Sequence, residues 1–221
     1  MFWRAGDVLR VSCPFDTAVV TAVGRDDVSL RWPWWEIDPD VVGVAWNGDV
    51  AVSRTDPDEL FTTDPPAGDL RPGGTCRVGV LPRIVHVLEV RRGGEPEETG
   101  WLPRPTEILT VLPGGVAPDP DAEFEGLDIE VDGGVPFTFE PVFRPYAFLE
   151  AGDDVADAAG RAWHFGGPLA WAAFDGAAGA PRWPLLLLAG AADAATVAAS
   201  TAGGLHDDEV DRWRRAAGLS G

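Results

Sequence analysis

The feature that most constrains this chain is how its first half is cut into short β-prone runs by turn-forming residues. Residues 7–12, 17–23 and 27–32 are rich in valine, threonine and leucine, and glycine, proline or aspartate interrupts them. Branched side chains suit a pleated, half-buried surface, so each run predicts a strand. Residues 41–46 and 49–54 flank Asn47-Gly48, a dipeptide that accepts positive φ at both turn positions and predicts a hairpin. Residues 75–80, 83–90 and 106–112 continue the pattern, with a turn at Gly93-Gly94.

Sliding the chain by 67 positions lays Arg4, Gly6, Arg10 and Val11 over Arg71, Gly73, Arg77 and Val78. The same shift lays Val20 and Val23 over Val87 and Val90, and two further positions bring Trp32 over Trp101. The preserved order of glycine, strand, break, strand and tryptophan predicts an internal repeat, because each element has a structural task. Each unit is the size of a small barrel of about five short strands. The second unit ends in Trp101-Leu102-Pro103-Arg104-Pro105 and an alternating strand, which resembles the late strands of SH3-like barrels in general shape. A resemblance at the level of fold implies no function.

The character changes after residues 113–121, a stretch rich in proline, glycine and aspartate. Residues 127–132 and 135–140 alternate around Gly133-Gly134 and predict another hairpin. Residues 143–150, 161–165 and 184–189 predict further strands, the last of them buried. Two helices are expected at the end. Residues 191–202 are alanine-rich and stop at Gly203-Gly204. Residues 207–217 open on acids and close on arginines, complementing the helix dipole, with Asp207 as cap and Gly218-Leu219 as a Schellman-type stop. The expected organisation is mostly β with a C-terminal α+β part. It comprises two small SH3-like β-barrel units in tandem (1–64 and 65–115), an acidic linker (116–124), and a sheet with two helices (125–221).

Charge narrows the partners. The chain has 17 basic residues, all arginine, against 36 acidic ones, for a net charge of -19. Direct nucleic-acid binding is disfavoured, since it rests on neutralising phosphates. A basic protein partner fits better. The absence of lysine beside abundant Ala, Gly, Pro and Asp points to a GC-rich bacterial genome. No apolar run approaches the length of a membrane span, and the N-terminus meets Asp7 without an apolar core. A cytoplasmic protein is expected, with Cys13 and Cys76 as two buried free thiols.

The candidate site residues fall into three groups. Trp32-Pro33-Trp34-Trp35 should leave at least one indole outside the barrel core, because strand neighbours face opposite sides and Pro33 suits an edge. With Trp101 this makes a candidate partner patch. The acids Asp119, Asp121, Glu123 and Glu125 form a partner-facing strip. Their spacing with Glu130 resembles a calcium loop, but Phe124 replaces the turn glycine and Pro120 intrudes, so no metal is expected. For an enzyme or small-molecule binder, a cleft between the barrels and the C-terminal part would be lined by Trp163, His164, Trp171 and Asp175, with His164 and Asp175 as the acid–base pair. His86 and His206 read as structural. No nucleophile elbow, phosphate loop or dinucleotide fingerprint is present, and no cofactor is expected. The leading expectation is therefore a non-catalytic acidic binding protein that engages a basic protein partner, in the manner of an immunity protein or inhibitor. The alternatives are the small-molecule enzyme or binder, and a structural subunit of a larger bacterial assembly.

Overall fold

The computed structural model describes residues 2–35, 48–56, 59–93, 105–119, 125–168 and 170–219. The protein is mostly β: a curled half-barrel sheet of eight strands, a second sheet of four, and two C-terminal helices. The large sheet is organised by two long strands, β1 (Val8–Val23) and β5 (Thr75–Arg92). The sequence breaks at Pro14 and Pro82 do not end these strands. They mark places where the register shifts and the strand bends, as bulges do. Around them run β2 (Asp27–Arg31), β3 (Asp49–Ser53), β4 (Thr62–Asp64), β6 (Glu107–Pro113), β7 (Leu127–Glu130) and β8 (Thr138–Phe143).

The 67-residue offset reappears in the backbone. Cys13 pairs with Val80, its own counterpart. On either side, Val8 pairs with His86 as Thr75 pairs with Val19, and Leu9 with Val85 as Cys76 with Ala18. The hydrogen bonds repeat as well. Gly6 N donates to Val87 O (2.7 Å) and Val87 N to Asp7 O (2.8 Å). In the other half Gly73 N donates to Val20 O (2.8 Å) and Val20 N to Gly74 O (2.9 Å). Gly6 and Gly73 take φ of +86° and +79°, a region that costs side-chain-bearing residues about 1–2 kcal/mol. A bulge follows Val20 on the way to β2 and Val87 on the way to β6. The large sheet thus has a local pseudo-twofold axis beside Cys13 and Val80.

The tandem SH3-like units are not confirmed, because the halves exchange strands. The two long strands pair with each other. β4 of the first half pairs with β5, and β8 of the second half pairs with β1. One core results, with Leu9, Val11, Val20, Val78, Val85, Val87, Val111 and Ile129 buried inside the curl. Strands β7 and β8, which composition groups with the C-terminal part, belong to this large sheet, and the second sheet begins at Asp153. The strand expected at residues 41–46, with Asn47, lies outside the described residues. Gly48 has φ +87°, and β3 pairs with β2.

The second sheet runs β11-β10-β9-β12, formed by Asp153–Ala156 (β9), Ala162–Gly167 (β10), Ala170–Ala173 (β11) and Leu186–Ala189 (β12). Residues 145–148, expected within a strand, form turns instead, with Tyr146 buried at φ +50°. Helix α1 (Ala194–Thr201) starts on Asp193, whose carboxylate accepts from Thr196 N at 2.8 Å. Helix α2 (His206–Ala216) starts one residue before Asp207, so Leu205 rather than Asp207 takes the cap position, and Asp208 accepts from Leu205 N at 3.0 Å. Its end is a Schellman motif: Leu219 N donates to Arg214 O (2.8 Å) and Gly218 N to Arg215 O (3.2 Å), with Gly218 at φ +74°.

Helix α2 fastens the second sheet to the first. Trp213 and Ala217 are buried on Val8 at the outer face of the large sheet, with Ile84 and Phe143 packed alongside. Trp213 Nε1 donates to Gly6 O (2.9 Å). Arg144 forks onto buried Asp7, Nε at 2.8 Å and one terminal nitrogen at 2.6 Å. Arg4 donates to the carbonyls of Pro145, Tyr146 and Leu149. Buried Glu209 accepts from Tyr146 N (2.7 Å) and from Arg212.

Candidate binding surface

In the second sheet, alternation divides the side chains cleanly. Val155, Trp163 and Phe165 point inward, where they meet Tyr146, Leu149, Trp183, Leu185 and Val197, with Trp171 and Leu187 packed against them. The opposite face has no helix or strand over it among the described residues. Across it run two rows set by the register. In one, Leu186 stands beside Ala156, Ala156 beside Ala162, and Phe174 N bonds Ala162 O at the far rim. In the other, Ala189 stands beside Asp154, Asp154 beside His164 and His164 beside Ala172. Leu186, Leu188 and Phe174 are 59%, 53% and 67% exposed, an unusual density of large apolar side chains in water for so small a sheet.

The centre of this face is polar. His164 Nδ1 lies 2.8 Å from Asp154 Oδ1, and both side chains are partly exposed. Asp175 is paired instead with Arg161, Nε to Oδ2 at 2.9 Å. The hydrogen bond from Ala177 N, ahead of the arginine's field, holds the Asp175 carboxyl below its ordinary range. The expected cleft residues are therefore divided. Trp163 is buried inward, its indole donating to Asp157 (3.2 Å), Trp171 is half-buried on the same side, and His164 faces out. Burial opposes ionisation of Asp157, but bonds from Arg161 N, the Trp163 indole, Arg182 N and Ala159 N outweigh it and keep the carboxyl low. That carboxylate is a fold clamp.

A cleft does lie where the two sheets meet, but other residues line it. Two adjoining hollows of about 260 and 310 Å³ run between Leu88, at the bulge of β5, and Gly166-Gly167-Pro168. Trp213 and His86 wall one of them; Arg4, Arg92 and Phe165 wall the other. His86 is fully buried, edge-on to Trp213, with Nε2 2.9 Å from Val116 O. A carbonyl only accepts, so Nε2 carries the proton, and burial lowers the ring's affinity for a second one. Its Nδ1 has no partner among the described residues and is shut away from the hollow's surface. His206 is also held neutral by burial. It stacks on Tyr146, whose hydroxyl lies 2.7 Å from Nδ1 and is kept protonated chiefly by burial.

The tryptophan run is not an open patch. Trp32 is buried edge-on to Trp34 (4.9 Å) and Phe61 (4.8 Å), and Trp34 and Trp35 are half-buried against the same core. Trp35 Nε1 donates to Gly133 O at 2.6 Å. Trp101, Asp121 and Glu123 lie outside the described residues. Asp119 and Glu125 fold onto each other, Asp119 N donating to Glu125 Oε1 at 2.5 Å. No cluster of three metal-ligating side chains occurs among the described residues. Cys13 and Cys76 are free and buried, and burial, with Asp16 adding to it, pushes the Cys13 thiol up to about 11.

Sequence reasoning missed Leu186, Leu188 and Phe174. Four consecutive leucines, Leu185 to Leu188, read as a strand buried on both faces. The available signal was the mismatch between that reading and a sheet with only two short helices to cover it. Comparisons with known protein families, with characterised proteins and with solved structures find no match. No helix among the described residues is long and apolar enough to cross a membrane.

Proposed function

We propose that this is a non-catalytic acidic binding protein that engages a basic protein partner, in the manner of an immunity protein or inhibitor. The observation that carries the reading is the uncovered face of the second sheet, where exposed Leu186, Leu188 and Phe174 stand on a chain of net charge -19. Apolar side chains supply burial at an interface, while the surrounding field selects and steers a cationic partner. A bacterial, cytoplasmic setting is part of the proposal, supported by two buried free cysteines and an all-arginine basic complement. The strand exchange about Cys13 and Val80 supports reading the two halves as intertwined copies of one small SH3-like unit.

The test is capture from the native cell on immobilised protein at low and high salt, with the retained proteins identified. A strongly basic protein, held at low salt and released at high salt, is the expected result. Recovery of only acidic or neutral proteins at low salt overturns the proposal. A second reading, a small-molecule binder, is favoured by the hollow between Leu88 and Pro168. A thermal shift with one ligand class, lost in Leu88→Trp, would be its signature.

A further inference from the structure

We infer that the open face of the second sheet is a docking trough for an amphipathic helix of a basic protein, apolar stripe downward and arginines or lysines along its flanks. This deepens the proposed function and rests on it.

Three observations converge on that occupant. First, β12 carries leucine on both faces, a pattern suited to burial on both sides. Leu187 packs into the core while Leu186 and Leu188 stand in water. Second, the face has two raised rims and a low floor. Leu186 and Leu188 form one rim, Phe174 the other, and Ala156 and Ala162 lie between them, with the Asp154–His164 pair beside them. Three interstrand steps put the rims about 14 Å apart. An α-helix with its side chains is about 10–12 Å across, so one helix fits, and alanines let its backbone approach closely.

Third, the charge selects the helix. Asp154 sits in the floor with Oδ1 engaged by His164, and Asp175 stands by the Phe174 rim, paired with Arg161. Residues 116–221 carry 18 acids against 6 arginines. A second copy of this chain would bring the same negative field onto the face, and so would an anionic membrane. Either approach is opposed, whereas a helix flanked by cations is drawn in.

The test uses the full chain and three labelled peptides of about 18 residues, five helical turns. One has a leucine stripe flanked by arginine, the second is the same composition scrambled to destroy the stripe, and the third keeps the stripe with glutamate flanks. Fluorescence anisotropy should show the first binding at least about tenfold tighter than either control, a difference of about 1.4 kcal/mol. Leu186→Asp and Phe174→Asp should each weaken it by about tenfold or more, while Val19→Asp, an exposed change on the other sheet, should not. Both trough side chains are exposed, so an unchanged urea midpoint certifies that the variants are folded.

If both arginine peptides bind equally and the trough variants bind as the wild type, the trough assignment fails and the acidic-binder reading survives. If neither arginine peptide binds at low salt, both fall. Tighter binding of the glutamate peptide, a dimer in sedimentation that Leu186→Asp dissociates, or anionic-vesicle binding lost in the same variant would each overturn the inference in favour of another occupant.

Discussion

The two halves of the large sheet share a backbone plan but have different fates. At inward positions they agree: Leu9 and Cys76 are both buried, as are Val85 and Ala18. At outward positions they part. Val8, Ile84 and His86 lie under Trp213 and α2, while their counterparts Thr75, Thr17 and Val19 face water. Asp7, which grips Arg144, has Gly74 as its counterpart. The inner surface of a curled sheet is set by the core that both halves share. The outer surface is free to diverge, and one half has become the seat of the second sheet.

The sharpest way to break this comparison is Trp213→Ala against Val19→Ala. The first removes a buried indole, its packing on Val8 and His86, and its bond to Gly6 O, and should cost about 3–5 kcal/mol in urea unfolding. The second trims an exposed valine and should cost no more than about 0.5 kcal/mol. Comparable losses would mean that α2 does not hold the halves apart in character.

Next come the equivalent glycines. Alanine at either meets a positive φ and loses about 1–2 kcal/mol. At Gly73 the new Cβ meets nothing within 4 Å, but at Gly6 it would lie 2.5 Å from Pro168 Cγ. Overpacking should add about 1–3 kcal/mol to Gly6→Ala alone. Equal midpoints for the two variants would show that Pro168 yields freely.

Asp7→Ala strands Arg144 beside an apolar seam. Breaking a fully buried pair costs about 3–5 kcal/mol, but the Arg144 side chain keeps 31% exposure, so about 2 kcal/mol is expected. Gly74→Ala, at the matched position, breaks no ion pair; its Cβ would lie 3.0 Å from Arg71 O, a contact that a shift of a few tenths of an ångström relieves, so its loss should be smaller. A loss for Asp7→Ala no larger than for Gly74→Ala would remove the ion pair from the account.

The smallest effect is a pH slope. Burial depresses the proton affinity of His86, so the folded state prefers the neutral ring, while the unfolded chain titrates near the ordinary value of about 6.5. The stability is complete above that value. It is lost as pH falls through it towards the folded-state value, because the unfolded state takes up the proton first. His206, also depressed by burial, acts with the same sign. Replacing His86 with valine, the residue at the matched position 19, should flatten the fall in urea midpoint between about pH 7 and 5.5. An unchanged slope would assign the loss to other groups.

Much of the fold is legible in the chain because it is written locally. β-branched runs mark the strands, Gly203-Gly204 follows the end of α1, Gly218-Leu219 ends α2, and the 67-residue echo marks equivalent turns at Gly6 and Gly73. The binding surface was far less legible. Trp34 and Trp35 look exposed in sequence because neighbours alternate, yet Trp34 packs on Trp32 and Phe61, and Trp35 on Trp32, against the core of the large sheet. Leu186 and Leu188 look buried because leucines belong inside, yet nothing among the described residues covers them. The sequence sets His164 with Asp175 as an acid–base pair, and only the β9–β10 register brings Asp154 to it instead.

By itself, then, the sequence determined the strand-rich character, the C-terminal stops of the two helices, the repeat and the negative charge, all properties of a residue and its near neighbours or of a plain sum. Only the tertiary structure decided that the halves exchange β4 and β8, that α2 settles on the Gly6 half, and which face of the second sheet stays open. Partner strands and covered faces are chosen by the burial that the whole chain can achieve at once, and no short window of residues contains that information.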